Sequence, residues 1–241
     1  MTTPVTLVGG GPGAWDLITV RGQRALQDAE VILADHLGPT ASLDKLCDIS
    51  AKEVVDCSKL PYGKQVAQEK INEMMVQYAS AGKRVVRLKG GDAFVFGRGF
   101  EEVQALAEHG IPATVVPGVT SAISVPELAG IPVTQRGVVH SFTVISGHLA
   151  PGNEHSLNDW EALARSGGTL AIIMGVKHSG EIAEALIGYG KPETTPTAVI
   201  QEGSTEAQRS YRCTLGDLAA TIEREAIKPP AVIVIGEVAG L

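Results

Sequence analysis

Residues 82–99 read Gly-Lys-Arg-Val-Val-Arg-Leu-Lys-Gly-Gly-Asp-Ala-Phe-Val-Phe-Gly-Arg-Gly and hold the passage on which the fold turns. Val85–Leu88 reads as a short strand. Before it, Ile71, Met74, Met75 and Tyr78 recur at helical spacing, which predicts a helix over Val66–Ala81 ended by Gly82. After it come a glycine-rich loop, a helix over Phe100–His109 closed by Gly110, and a strand Ala113–Val116 closed by Pro117-Gly118. Upstream, Val5–Val8, Val31–Ala34 and Glu53–Asp56 read as strands and Val20–Ala29 as a helix. Such strand–helix alternation predicts a mostly parallel sheet with crossover helices.

The second half has another rhythm. A strand at Phe142–Ser146 precedes a polar loop, and a helix follows in which Ser156 and Asp159 have capping-box spacing. An apolar strand Thr169–Met174 and a helix around Glu181–Ile187 come next. Thr197–Glu202 and Gln208–Cys213 read as a hairpin across Gly203–Ala207. A helix over Leu215–Arg224 and a strand Ala231–Ile235 finish the chain. The expected fold is therefore α/β with two domains, residues 1–118 around a mostly parallel sheet and residues 119–241 around a mixed one.

Composition narrows the function classes. The 241 residues are 44% hydrophobic, enough for a packed core. Aromatics are only 4%, which argues against a stacking platform for single-stranded nucleic acid. A net charge of −7 argues against a broad nucleic-acid or anionic-membrane surface, while leaving room for a local basic pocket. No apolar run reaches a membrane span, and the N-terminus lacks a basic, then apolar, leader pattern. The three cysteines are widely spaced without CxxC, and the histidines form no ligand spacing, so neither disulfides nor a metal are expected. A cytoplasmic protein without nucleic-acid or membrane partners is the expectation.

The segment Val5-Thr-Leu-Val8-Gly9-Gly-Gly11-Pro12-Gly13-Ala14 satisfies GxGxxA, and Asp35 ends the next strand, as in an NAD-dependent dehydrogenase. Two details oppose that reading. Pro12 has no N–H to offer a pyrophosphate, and Trp15–Thr19 delay the helix that should open at the glycines. The glycines still imply a backbone brought close to something. Lys89–Gly99 lies just past a predicted parallel strand, where open α/β sheets bind ligands. There Gly90 and Gly91 permit close approach, and Asp92 suits a hydroxyl or amine. In Val116–Ala122, the hydroxyls of Thr120 and Ser121 could bond a ligand, although capping the following helix is the plainer reading.

Five blocks in this order, VTLVGGGPG (5–13), RLKGGDAFVFGRG (87–99), VVPGVTSAISVPELAGIPVTQRG (115–137), GTLAIIMGV (168–176) and TPTAVIQEGSTEAQRSYRCTLGDL (195–218), resemble the tetrapyrrole methylase family. The resemblance implies S-adenosylmethionine as methyl donor, no metal, a site in a cleft between two α/β domains, and a homodimer. The blocks are most similar to members that methylate uroporphyrinogen III at positions 2 and 7, giving precorrin-2 by way of precorrin-1, toward sirohaem and cobalamin. Carried over by motif, the donor-binding residues would be Pro12, Gly90, Gly91, Asp92, Val95, Thr120, Ser121, Met174 and Gly203. Asp35 would be the proton acceptor and Lys59 the proton donor. On the residues alone, Asp35 reads as well as a strand-end carboxylate holding a loop, and Lys59 as a solvated lysine. An octacarboxylate substrate calls for cations, and Lys64, Arg98 and Arg136, with Lys89, lie in or beside the motif loops.

The chain departs from the family pattern at four positions. Ala14 stands where GPGD has its acid, and Ala93 where GGDPF has proline. His36 replaces an arginine after the strand-end acid, and Gln135 a histidine in GIPLTHRG. At 241 residues, the dehydrogenase–ferrochelatase module of fused sirohaem synthases is not expected. Beside the leading reading stand a sister methylase acting on a later precorrin, the dehydrogenase named above, and a binding module that has lost turnover.

Overall fold

The computed structural model of the chain describes residues 3–57 and 68–241. The chain divides into two units, Met1–Thr120 and Ser121–Leu241, so Val119 and Thr120 go with the first.

The first unit runs β1 (Val5–Gly9), α1 (Val20–Asp28), β2 (Val31–Ala34), β3 (Glu53–Asp56), α2 (Gln68–Ser80), β4 (Val85–Lys89), α3 (Gly99–Glu108) and β5 (Ala113–Val116). The strands form one sheet in the order β3-β2-β4-β1-β5, and every pair is parallel. The period-two side-chain alternation sorts the core into two layers. Val5, Leu7, Val31, Leu33 and Val85 pack with Ile71 and Met75 of α2 and Leu106 of α3. Val8, Ile32, Ala34, Val86 and Leu88 pack with Leu26 of α1 and with Leu43 and Leu46. Each of the larger side chains contributes about 1.5–3 kcal/mol by leaving water.

Strand order also fixes where a ligand can enter. From β1 the chain crosses toward β2, whereas from β4 it crosses the other way, to β5. The loops after β1 and β4, neighbours in the sheet, therefore lead to opposite sides, and it is beyond the carboxyl ends at such a switch point that open α/β sheets bind ligands. A 3-10 segment at Pro39–Lys45 has no counterpart in the sequence reading, because a tight segment of Pro, Thr and Ser carries no 3.6-residue apolar period.

The second unit runs α4 (Ser121–Leu128), β6 (Phe142–Ser146), α5 (Trp160–Arg165), β7 (Thr169–Ile173), α6 (Ser179–Gly188), β8 (Pro196–Gln201), β9 (Arg209–Thr214), α7 (Leu218–Arg224) and β10 (Ala231–Ile235). Its sheet has the order β6-β7-β10-β8-β9, with β6–β7 parallel and the other pairs antiparallel. The expected hairpin is the β8–β9 pair. One face carries Trp160, Ile182, Leu186 and Leu218 of the helices α5, α6 and α7. The other carries Val125 of α4 with Ile131 and Val238.

The cap of α5 differs from the expected box. Asp159 is the N-cap and accepts from the Ala162 N–H at 2.9 Å. Ser156 takes no part in it, and its buried Oγ has no partner among the described residues. Among the described residues no helix is long and apolar enough to cross a membrane.

Candidate active site

In the first unit, parallel strands put every strand-to-helix loop at one edge, and three of those loops are joined through glycine. Gly11 and Gly91 exchange backbone hydrogen bonds at 3.1 and 2.7 Å, and Gly10 N–H donates to the Lys89 carbonyl at 2.8 Å. A Cβ on Gly118 would stand 2.2 Å from the Gly91 oxygen and 2.6 Å from Gly9, so no other residue fits there. The result is a floor of main chain beyond β4, β1 and β5, reached by Pro12, Gly90 and Gly91. After Gly13 the chain makes a 3-10 turn at Trp15–Leu17. Helix α1 starts only at Val20, capped by Thr19 accepting from Gly22 N–H at 3.1 Å. The glycines therefore do not open a helix, as a dinucleotide site requires.

Asp92 holds this floor together. Its Oδ2 accepts from Gly118 N–H at 2.9 Å, and its Oδ1 from Phe94 and Val95 N–H at 2.8 and 3.3 Å. The carboxylate therefore fixes the loop that carries Val95, and Oδ2, with one donor, keeps lone-pair capacity for a further one. The same loop holds Phe96 and Arg98 at φ of 53° and 58°. For side-chain-bearing residues that is an uncommon conformation, concentrated at binding loops. Arg98 itself lies exposed and pairs with Glu101, at 2.6 Å between Nη2 and Oε2.

Asp35 follows β2 at the same sheet edge, half-buried. Arg87 Nη2 reaches its Oδ1 at 2.5 Å, and Lys89 Nζ stands 3.9 Å from its Oδ2. Arg87 and Lys89 in turn meet Glu102 of α3, at 3.0 and 2.9 Å from its Oε1. Burial of Lys89 beside Arg87 holds its ammonium below the usual range, despite Glu102 and Asp35. For Arg87 the two carboxylates outweigh desolvation and hold it above. Sequence reading missed Arg87 and Glu102. The available signal was a charged pair, Arg87 and Lys89, alternating with apolar residues in a strand between two others; such a strand cannot solvate them.

In the second unit β6, β7 and β8 point the same way, so Met174 after β7 and Gly203 after β8 lie at one sheet edge. Met174 is exposed and has φ 59°, which turns the chain sharply out of β7. Gly203 is buried between Glu202 and Ser204, both left-handed, and a Cβ there would stand 2.4 Å from a Val125 methyl. Ser121 opens α4, and Thr120 is the last residue of the first unit. Arg136 is exposed in a tight turn where Gln135 and Val139 exchange backbone hydrogen bonds. Lys59 and Lys64 lie outside the described residues. Among the described residues no group of His, Cys, Asp or Glu is arranged to hold a metal ion.

The donor set fits a sulfonium-bearing nucleoside. In the first unit the main-chain atoms of the glycine floor and the Asp92 carboxylate offer it electron-rich contacts.

Residues 4–219 match the family model of tetrapyrrole (corrin/porphyrin) methylases. The chain is 46% identical over 237 residues to an S-adenosyl-L-methionine-dependent uroporphyrinogen III methyltransferase of Methanosarcina barkeri, covering 98% of this chain and 92% of that one. Among solved structures, it is similar to a uroporphyrin-III C-methyltransferase of Thermus thermophilus complexed with S-adenosylhomocysteine, with 36% identity, a TM-score of 0.80 and coverage of 98% and 99%. It is also similar to a cobalamin biosynthetic enzyme, a cobalt precorrin-4 methyltransferase, with 25% identity, a TM-score of 0.86 and coverage of 98% and 95%.

Proposed function

From the premise that the chain belongs to the tetrapyrrole methylase family, we propose that it methylates uroporphyrinogen III at positions 2 and 7, using S-adenosylmethionine, to give precorrin-2 by way of precorrin-1. The observation that carries the substrate assignment is the end-to-end identity with the Methanosarcina barkeri enzyme, well above that with the cobalt precorrin-4 methyltransferase. The latter's higher TM-score reflects the common fold, and fold does not choose a substrate.

The methyl donor, when bound, supplies a methyl already activated on a sulfonium. In the first unit Pro12, Gly90, Gly91, Asp92, Val95 and Thr120 are assigned to hold it. In the second unit Ser121, Met174 and Gly203 are assigned the same task. Catalysis by these residues is chiefly positioning, bringing the nucleophilic ring carbon in line with the methyl and excluding water. The ring's electron pair forms the new carbon–carbon bond, while the sulfur–carbon pair leaves with sulfur as a neutral thioether. The ring then loses a proton, its bonding pair returning to the ring, and the Asp35 carboxylate accepts that proton. Lys59 is assigned as proton donor, and Lys64, Arg98 and Arg136 as partners of the substrate carboxylates. A cytoplasmic homodimer without a metal completes the proposal.

The test is anaerobic incubation with S-adenosylmethionine and uroporphyrinogen III, followed by mass analysis of the tetrapyrrole. A gain of two methyl groups is expected. No gain, with donor binding intact by calorimetry, would move the assignment to a later precorrin. Absence of donor binding would overturn it.

A further inference from the structure

Arg87 and Lys89 leave the same face of β4, and Glu102, in the first turn of α3, packs onto them. Glu102 is fully buried, and Arg87 and Lys89 are only 2% and 3% exposed. Three donors converge on Glu102 Oε1, namely Arg87 Nε at 3.0 Å, Lys89 Nζ at 2.9 Å and Gln68 Nε2 at 3.1 Å. Its Oε2 is buried with no partner among the described residues. On the other side of the guanidinium, Nη2 holds Asp35 Oδ1 and Nη1 donates to the carbonyls of Leu33 and Leu88. Asp35 Oδ2 has no donor within hydrogen-bond distance among the described residues, since Lys89 stands 3.9 Å away.

The charges of this cluster balance: two cations face two carboxylates. Among the described residues two more titratable groups lie at this edge of β3: Asp56, its last residue, whose charge acts on the Cys57 thiol, and Cys57 itself. Burial pushes its thiol up to about 11, so it adds no charge at neutral pH. Helix α2 contributes the neutral Gln68, bonded to Asn72, and at the rim of α3 Arg98 and Glu101 cancel one another.

We infer that Glu102 is a positioning residue for the proton-accepting step: by drawing Lys89 and one edge of Arg87 to itself, it leaves Asp35 Oδ2 uncommitted and the cluster neutral. The inference rests on the reading of Asp35 as proton acceptor. With the Glu102 charge removed, two buried cations would face Asp35 alone. The lysine would turn to Oδ2, and the carboxylate would become a weaker base. With the Lys89 charge removed instead, Arg87 and Glu102 cancel, the net positive charge that faces Asp35 is gone, and Asp35 would hold a proton more readily.

The test uses the full chain, methylating uroporphyrinogen III anaerobically, with kcat and KM recorded against pH for Glu102→Gln, Lys89→Gln, the double variant and Asp35→Asn. In Glu102→Gln the acid limb of the profile is expected to move to lower pH and kcat to fall about tenfold, with KM changed less than about threefold. In Lys89→Gln the limb is expected to move to higher pH, and the double variant, neutral again, to return toward the native profile. Lost packing alone would not displace the two limbs in opposite directions. If Glu102→Gln does not fold, the upward displacement in Lys89→Gln and its reversal in the double variant still decide. Unmoved limbs, with Asp35→Asn inactive, would overturn the role of Glu102 and leave that of Asp35 standing. Full activity in Asp35→Asn would overturn the reading of Asp35 and the inference with it.

Discussion

Gly118 donates its backbone N–H to Asp92 Oδ2 at 2.9 Å, which ties the loop after β5 to the loop after β4. The other carboxylate oxygen holds Phe94 and Val95. Asp92→Asn keeps one acceptor but turns an NH₂ toward either Gly118 or its own loop. Hydrogen bonds to a charged acceptor contribute about 1.5–3 kcal/mol each. Urea unfolding of Asp92→Asn is expected to show a loss of about 2 kcal/mol. Calorimetry with S-adenosylhomocysteine is expected to show weaker binding, because the floor would no longer be fixed. Native stability in this variant would mean that the contact to Gly118 is energetically idle.

Cys57 gives the protein an alkaline weakness. Burial raises its thiol from 9.0 to about 11, so folding favours the protonated form. The stability this contributes is complete below pH 9 and is lost as pH rises through 11. Lys89, held below its usual range, acts with the opposite slope, so the comparison must isolate the cysteine. The stability difference between the native chain and Cys57→Ala is expected to shrink by about 2 kcal/mol across that window. Denaturant titrations at a series of alkaline pH values check this, and a constant difference would refute it.

The two candidate caps of α5 should separate cleanly. Asp159→Ala removes the acceptor for Ala162 N–H and is expected to cost about 1 kcal/mol. Ser156→Ala removes a buried hydroxyl that has no partner among the described residues, and is expected to be neutral or slightly stabilising. Thermal melts of the two variants measure the contrast. An equal loss in both would restore the capping box expected from spacing.

That contrast marks where sequence reading reached its end. The strands were legible because Val, Ile and Leu run together when both faces of a strand are covered, as at Val31–Ala34 and Thr169–Ile173. The hairpin of β8 and β9 was legible because a glycine-bearing turn separates the β-branched run Thr197–Ile200 from a second stretch free of Gly and Pro. The glycine floor was visible as composition. That Gly9, Gly91 and Gly118 touch one another was not, because their contact depends on strand order. Arg87 and Glu102 were missed for a similar reason: their pairing follows from the helical phase of α3 against the pleat of β4, and no local spacing encodes it. Motif resemblance supplied Asp35, and the motif loops supplied Lys89 as a cation, but the place of Lys89 and Arg87 beside that carboxylate came from the fold.

Arg98 separates a binding role from a structural one. Its ion pair with Glu101 is solvent-exposed, and such pairs contribute about 0–1 kcal/mol. Its φ of 58° is one that glycine adopts without the strain of a Cβ. Arg98→Gly therefore exchanges a weak surface pair for a relaxed backbone, and unfolding is expected to show stability within about 1 kcal/mol of native. If the guanidinium meets a carboxylate of the tetrapyrrole, the same variant should raise KM several-fold while leaving the affinity for S-adenosylhomocysteine unchanged. Arg98→Lys should recover part of the loss, since it restores charge without the bidentate fork. An unchanged KM in Arg98→Gly would leave the pair with Glu101 as the arginine's whole role.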